Sequence, residues 1–173
     1  MAGGLQGAAM FRKESAKMQP EQNCTDIMVS VVCCTYNHAQ YIRQALDGFL
    51  RQQTAFRIEV LVHDDASDDG TADIIREYAE KHPDLILPVL ETQNQWSKGV
   101  RFFASHYHDL RGKYIAFCEG DDYWTDPKKL QKQVDYMEQH QSCSLCVHET
   151  AEITEDGHPL KYTIGLPGIW LQK

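Results

Sequence analysis

The sequence predicts an α/β protein with a doubly wound, mostly parallel sheet and helices on both of its faces. Apolar runs typical of strands buried on both sides alternate with segments whose apolar residues recur at helical spacing. Short polar loops follow three of those runs. This alternation of strands and helices favours parallel strands, because each helical crossover returns the chain to the same end of the sheet.

Two strand–helix units are predicted in the first half of the chain. Residues 27–34 form a continuous apolar run that predicts a central strand, and apolar positions within 41–50 predict the helix after it. A second strand is expected over residues 58–62. The helix that follows it ends before Pro83, because proline cannot continue a helix.

Three more strands are predicted in the second half. Residues 85–90 contain Pro88, which has no N–H to donate to a neighbouring strand, so this strand is expected at an edge of the sheet. A helix is expected from Val100 to Tyr107. The fourth strand is expected over residues 114–118 and the fifth over 143–147, with a helix between them.

Composition excludes several classes of protein. The chain has 173 residues, with 17 Lys and Arg against 25 Asp and Glu and a formal net charge of −8. That charge argues against nucleic-acid binding, which usually needs a basic face. No apolar run approaches the roughly 20 residues of a membrane span, so no transmembrane segment is expected in this chain. The six cysteines are expected to be structural thiols in a reducing cytosol.

Carboxylates follow the strand predicted over residues 114–118. Asp121 and Asp122 would lie at the carboxyl end of that strand, where α/β proteins bind ligands. Two adjacent aspartates repel each other unless a cation lies between them, and Mg²⁺ or Mn²⁺ commonly joins carboxylates to phosphates. These residues alone leave two interpretations open: a metal–diphosphate site, or a solvated acidic turn before a helix.

Two further polar loops are expected at the same edge of the sheet. Thr35, Tyr36 and Asn37 follow the first strand, and Asp64 and Asp65 follow the second. A carboxylate there could accept a hydrogen bond from a base N–H or a ribose hydroxyl. Neither a glycine-rich dinucleotide motif nor a P-loop is present. Three polar clusters at the ends of three strands favour one ligand site.

Other charged residues near these loops have structural alternatives. Asp68, Asp69 and Thr71 suit the N-terminus of a helix, where they would cap backbone N–H groups. Lys98 and Arg101 could meet the charge of a phosphate, but a solvated start of a helix explains them equally.

Three blocks of sequence resemble the nucleotide-sugar half of family 2 glycosyltransferases, which have the GT-A (Rossmann-like) fold. The blocks run from Val29 to Asn37, from Glu59 to Thr71 and from Lys113 to Trp124, and their order and spacing fit the family. The resemblance covers residues 28–149. It is especially close to bacterial enzymes of capsule, O-antigen and exopolysaccharide assembly.

The resemblance implies a role for each matched position. The residues that would bind the nucleotide sugar are Thr35, Tyr36, Asn37, Asp64, Asp65, Lys98 and Asp121. Asp65, in preference to Asp64, would contact the base, which is usually uracil in this family. Asp121 and Asp122 match the DxD-type motif and would hold Mn²⁺ or Mg²⁺ on the diphosphate, where the cation neutralises the leaving group.

The implied activity is that of a metal-dependent, inverting glycosyltransferase. It would move a sugar from a nucleoside-diphosphate sugar, expected to be a UDP-sugar, to a glycan or lipid-linked acceptor in cell-surface polysaccharide synthesis. The expected location is the cytoplasm, at most peripheral to the inner face of the membrane.

The catalytic base is the one departure from the family pattern. Relatives place an acidic residue well downstream of the DxD block, whereas no acid between Asp122 and Lys173 lies in a recognisable motif. The base is therefore unknown and is expected beyond Lys173. On this reading residues 1–26 are a disordered lead or a remnant of cloning, 27–150 form the nucleotide-sugar-binding domain, and 151–173 begin a truncated acceptor-side region. A non-catalytic nucleotide-sugar-binding or regulatory module is the alternative.

Overall fold

The computed structural model describes residues 9–13, 27–100, 102, 106–148, 150–154 and 158–164. Its main sheet has six strands, with bounds β1 (Ala9–Arg12), β2 (Ile27–Thr35), β3 (Arg57–Asp64), β4 (Ile86–Leu90), β5 (Tyr114–Phe117) and β6 (Leu145–Val147). Their order across the sheet is β4-β3-β2-β5-β1-β6. The adjacent strands β4, β3, β2 and β5 run parallel. The α/β fold with a mostly parallel sheet is therefore confirmed.

The described helices longer than one turn are α1 (Ile42–Leu50), α2 (Thr71–Lys81) and α3 (Lys129–Gln139). Their apolar side chains join one buried cluster with the side chains of Val29 and Val31 on one face of the sheet. A smaller cluster around Val32 lies on the other face, where Phe102 and Tyr107 pack against it. Most of the helix expected over 100–107 lies outside the described residues.

Strand β1 (Ala9–Arg12) differs from what the sequence predicts for the start of the chain. Residues 1–26 are expected to be a disordered lead or a remnant of cloning, but Ala9–Arg12 form β1, which pairs antiparallel with both β5 and β6. Met10 is fully buried there, opposite Ala116 and Cys146. A four-residue strand with one buried methionine is too short to show a period in the sequence. Residues 1–8 and 14–26 lie outside the described part of the chain.

Strands β4 and β6 lie where the sequence predicts them, but both are shorter than the predicted runs. β4 lies at an edge of the sheet, as Pro88 predicts, because β3 is the one described strand that pairs with it. β6 is confined to Leu145–Val147, two residues shorter than the run expected over 143–147. After it, β7 (Thr150–Ile153) and β8 (Pro159–Ile164) form a separate antiparallel pair. Among the described helices, none is long and apolar enough to span a bilayer.

The described cysteines are free thiols inside the fold. No disulfide joins Cys33, Cys34, Cys118, Cys143 and Cys146, and all but Cys34 are buried. Burial raises the pKa of Cys34 to about 12, and it raises the pKa of Cys33 and Cys118 well above the ordinary value. These three thiols are therefore protonated at neutral pH, which suits packing rather than nucleophilic chemistry.

Candidate functional site

The loops that follow β2, β3 and β5 meet at the carboxyl edge of the sheet. The backbone N–H of Asp65 donates to the carbonyl oxygen of Thr35 at 3.0 Å, and that of Gly120 donates to Cys34 at 2.9 Å. Hydrogen bonding between the strands thus continues beyond their ends and ties the loops together. The structure therefore brings the three predicted polar clusters to one place.

Asn37 and Asp64 hold the first two loops in their conformations. Asn37 Oδ1 accepts from the backbone N–H of Asp68 at 3.0 Å, and Asp64 Oδ2 accepts from that of Ser67 at 3.0 Å. Asn37 and Ala66 have left-handed φ angles of 57° and 64°, which asparagine tolerates but alanine rarely adopts unless its surroundings impose them. Both side chains expected to touch the nucleotide are thus engaged within the protein.

Asp69 and Thr71 have the structural role that the sequence predicts. Asp69 Oδ1 accepts hydrogen bonds from the backbone N–H and the hydroxyl of Thr71 at the start of α2, and Oδ2 accepts from the backbone N–H of Ala39. Burial alone would raise the pKa of Asp69, but these hydrogen bonds together hold it below its ordinary value. The start of α2 is thereby fastened to the loop after β2.

Asp65 fastens a fourth loop, residues 91–99, to the same edge. Its two carboxylate oxygens accept from the backbone N–H groups of Gln95 at 2.6 Å and Trp96 at 3.0 Å. Asp65 is buried, whereas Trp96 is 61% exposed. Lys98 lies in the same loop and donates from Nζ to the side chain of Gln93. Asp65 therefore controls how this loop presents Trp96 and Lys98.

Replacing Asp65 with alanine is expected to release that loop. Each hydrogen bond to a charged carboxylate contributes about 1.5–3 kcal/mol. A local loss of about 2 kcal/mol would speed amide exchange at Gln95 and Trp96 roughly 30-fold. Hydrogen exchange read by NMR measures this, with Asp84→Ala as the control at an exposed carboxylate. Unchanged protection at both amides in Asp65→Ala would contradict the assigned role.

The turn after β5 concentrates negative charge. Burial raises the pKa of Glu119, and the charges of Asp121 and Asp122 raise it further. Partial desolvation of its carboxyl group and the charge of Asp121 raise the pKa of Asp122. These carboxylates therefore repel one another, and a cation between them would relieve the repulsion.

Trp124 anchors this acidic turn in the core. Trp124 as a whole is 4% exposed, and its ring meets the ring of Phe49 edge-on, with 4.8 Å between centroids. The ammonium of Lys129 lies 3.8 Å from the Trp124 ring centroid and donates to Gln133 Oε1 at 2.9 Å. Burial lowers the pKa of Lys129 to about 8. Trp124 ends the third block, but nothing in its spacing shows that Lys129 would cover it.

The acidic turn fits a cation that binds together with a diphosphate. Within the described residues, no three His, Cys, Asp or Glu side chains are grouped so that they could hold a metal ion. Asp121 and Asp122 nevertheless supply the hard carboxylate oxygens that Mg²⁺ and Mn²⁺ prefer. Such ions commonly complete their coordination with water and phosphate oxygens. Two carboxylates are therefore sufficient if the ligand brings the phosphates.

His38 is a neighbour of this turn that the sequence did not single out. Its Nε2 lies 3.8 Å from Asp121 Oδ2. The only sequence signal for it is its position directly after Asn37, in a loop expected at the same edge.

The sequence model of the family described as Glycosyl transferase family 2 matches residues 30–170. This chain belongs to that family. The resemblance found in the three sequence blocks is therefore confirmed.

Two curated relatives show how much of such a protein this chain represents. An uncharacterised protein from Mycobacterium tuberculosis is 48% identical over 130 residues, which cover 75% of this chain and 37% of the relative. TuaG of Bacillus subtilis, named for teichuronic acid biosynthesis, is 33% identical over 140 residues, which cover 81% of this chain and 53% of TuaG. The chain thus spans about half or less of the length of these relatives.

Two solved glycosyltransferase structures share the fold. The mannosyltransferase PcManGT from Pyrobaculum calidifontis, solved with GDP-Man and Mn²⁺, matches with a TM-score of 0.55 and 27% identity, covering 70% of this chain and 36% of PcManGT. S. aureus TarS 1–349, solved with UDP, matches with a TM-score of 0.55 and 26% identity, covering 68% of this chain and 34% of that one. The expected GT-A fold is therefore confirmed.

Proposed function

We propose that this chain carries the donor half of a metal-dependent glycosyltransferase and binds a nucleoside-diphosphate sugar at the carboxyl edge of its sheet. The observation that carries the proposal is the convergence of three loops there. That convergence sets the acidic turn at Asp121 and Asp122 beside the loops that hold Tyr36 and Asp65. A nucleoside diphosphate needs both surfaces next to each other. Carboxylates suit the cation on its diphosphate, and polar and aromatic side chains suit its base and ribose.

The side chains divide the ligand between them in this proposal. Tyr36 is 48% exposed and offers its ring to the base. Asp65, whose backbone N–H donates to the carbonyl oxygen of Thr35, would accept a hydrogen bond from a base N–H, and it also orders the loop that carries Lys98. Thr35 is buried, so its contribution is to shape the floor of the pocket. Asn37 and Asp64 support the pocket through the loop bonds already described.

Asp121 and Asp122 would hold Mn²⁺ or Mg²⁺ on the diphosphate. The cation, when bound, supplies positive charge that stabilises the departing nucleoside diphosphate. The carboxylates fix the position of that charge, and the turn is kept in place by the buried Trp124. An inverting reaction needs a general base for the acceptor hydroxyl, and we assign none to the described residues.

A UDP-sugar is the proposed donor, and a glycan or lipid-linked molecule in cell-surface polysaccharide synthesis is the proposed acceptor. The TarS structure with UDP supports the donor, and the name of TuaG, which refers to teichuronic acid biosynthesis, supports the acceptor class. Both come from proteins to which this chain is similar.

Calorimetric titration of the 173-residue chain with UDP tests this function. UDP is expected to bind at least about 10-fold more tightly with Mn²⁺ than with EDTA, because the cation links the carboxylates to the phosphates. GDP and ADP serve as comparison ligands for the base. Failure of all three nucleotides to bind with Mn²⁺, or equal affinity with EDTA, would overturn the proposal. Release of UDP from a UDP-sugar would show chemistry, whereas binding without release favours a binding module.

A further inference from the structure

His38 lies against the acidic turn from the side of the loop after β2. Its Nε2 is 3.8 Å from Asp121 Oδ2, and its side chain is 23% exposed, so the ring borders the acidic turn and is still reached by solvent. A distance of 3.8 Å is too long for a hydrogen bond but short enough for a small rotation of either side chain to make one.

Two buried polar atoms lie beside Gly120 in the acidic turn. Among the described residues, neither His38 Nδ1 nor Thr35 Oγ1 has a hydrogen-bond partner. Both atoms face Gly120: a Cβ placed on this glycine would lie 2.7 Å from Thr35 Oγ1 and 3.0 Å from His38 Nδ1. Glycine at position 120 thus allows the hydroxyl and the imidazole to occupy one small space beside the turn.

These two atoms are chemically complementary. A threonine hydroxyl can donate a hydrogen bond, and the unprotonated nitrogen of a neutral imidazole can accept one. The bond made by one ring nitrogen decides which nitrogen carries the proton. A hydroxyl donating to Nδ1 keeps the proton on Nε2, the nitrogen nearer to Asp121. The burial of an unpaired hydroxyl and an unpaired ring nitrogen favours this bond.

We propose that His38 is a positioning residue of the donor site, whose Nε2–H holds the Asp121 carboxylate toward the cation and diphosphate, while the Thr35 hydroxyl keeps the proton on Nε2. The inference rests on the proposed function of the site. Groups that orient the ligands of a metal commonly change its affinity, even though they do not touch it.

The backbone of His38, rather than its side chain, makes the hydrogen bonds that hold the loop after β2. Its N–H donates to Thr71 Oγ1 at 2.9 Å, and its carbonyl oxygen accepts from the N–H groups of Tyr41 and Ile42 at the start of α1. These bonds survive replacement of the side chain. The imidazole can therefore be removed with the shape of the loop retained.

Two variants separate the position of Nε2 from the bulk of the ring. Glutamine reaches about as far as Nε2, whereas asparagine reaches only as far as Nδ1. His38→Asn is expected to weaken Mn²⁺ binding in the presence of UDP by roughly 10- to 100-fold, and His38→Gln is expected to recover most of that loss. Affinity for UDP in EDTA is expected to be the same in all three proteins. Mn²⁺ affinity is read by electron paramagnetic resonance, and UDP affinity by calorimetry.

The outcomes distinguish this inference from the function on which it rests. If the unmodified chain does not bind UDP in a Mn²⁺-dependent way, the proposed function fails. If it does, and His38→Asn keeps its Mn²⁺ affinity, the positioning role is overturned. An equal loss in Mn²⁺ and in EDTA would also overturn it, because a general disturbance of the loop explains that result. An equal loss of Mn²⁺ affinity in His38→Gln and His38→Asn would overturn it as well.

The part played by Thr35 has its own test. Nitrogen-15 NMR of the imidazole is expected to show the proton of neutral His38 on Nε2. Thr35→Val removes the hydroxyl at nearly constant shape and is expected to lose this fixed tautomer and to bind Mn²⁺ with UDP more weakly than Thr35→Ser. A proton found on Nδ1 in the unmodified chain, or equal Mn²⁺ affinities in the two variants, would overturn the role given to the hydroxyl.

Discussion

Asp122→Asn is expected to weaken Mn²⁺-dependent binding of UDP by about 100-fold or more, which is roughly 2.8 kcal/mol. Asparagine keeps the size of the side chain but removes the charged oxygen that a hard cation prefers. The remaining carboxylate, Asp121, cannot join the cation to the diphosphate as strongly alone. Calorimetry with UDP in Mn²⁺ and in EDTA measures the effect, and binding in EDTA is expected to change little.

The same substitution is not expected to destabilise the fold. The pKa of Asp122 is raised by partial desolvation and by Asp121, so the folded protein disfavours its charged form. A raised carboxyl pKa means that this penalty is present above the folded pKa and disappears as pH falls through it. Asp122→Asn removes the penalty at neutral pH, and its melting temperature should equal or slightly exceed that of the parent.

Asp135→Asn is the matched control for the loss of UDP binding. Asp135 is an exposed carboxylate on α3 that accepts a hydrogen bond from Gln131. It has the same chemistry as Asp122 but lies outside the acidic turn. Equal UDP affinity in Asp122→Asn, Asp135→Asn and the parent would remove the acidic turn from the proposed site.

Glu59→Ala is expected to lower the free energy of unfolding by about 3–5 kcal/mol, because it leaves Ser30 Oγ and the backbone N–H of Arg111 without their acceptor, at about 1–3 kcal/mol each, and removes buried side-chain volume. Glu59 is fully buried in β3. It accepts from Ser30 Oγ at 2.5 Å and from the backbone N–H of Arg111 at 2.7 Å, and it pairs with the Arg111 guanidinium at 2.5 Å. The substitution leaves these donors without their acceptor and opens a cavity in the sheet.

Thermal unfolding followed by circular dichroism measures the effect of the Glu59 substitution. The expected fall in melting temperature is roughly 6–20 °C for a protein of this size. Glu77→Ala is the control, because Glu77 forms ion pairs with Arg43 and Lys81 at the surface. Exposed pairs of that kind contribute about 0–1 kcal/mol. A Glu59 variant that unfolds within 2 °C or so of the Glu77 variant would contradict the assigned role.

The part of the fold that could be predicted from sequence is the part made by continuous patterns. The runs that became β2 and β3 are buried on both faces over most of their length, so their central residues are mainly apolar and easily seen. Pro88 marks an edge because proline lacks an N–H, which is a local property. β1 escaped prediction because its place depends on two distant strands rather than on its own four residues.

The site could be predicted to the level of loops but not of contacts. Three strand ends bearing polar residues were enough to expect convergence at one edge. Sequence could not show that the Asp65 carboxylate is bonded to Gln95 and Trp96, which are about thirty residues away. For the same reason the sequence could not identify Arg111 as the partner of Glu59 or Asp121 as the neighbour of His38. Each of these depends on which side chains the sheet brings together across long stretches of chain.

The position of β1 also has a consequence for biosynthesis. Among the described strands Ala9–Arg12 leave the ribosome before the others, yet both strands that flank them, β5 and β6, are translated more than a hundred residues later. Until Phe117 has emerged, β1 has neither of its partners, and until Val147 has emerged, the second edge of β1 stays unpaired and open to other chains. Closure by so distant a segment is slow compared with local pairing. A molecule stalled at that stage is the form most exposed to aggregation and to capture by chaperones.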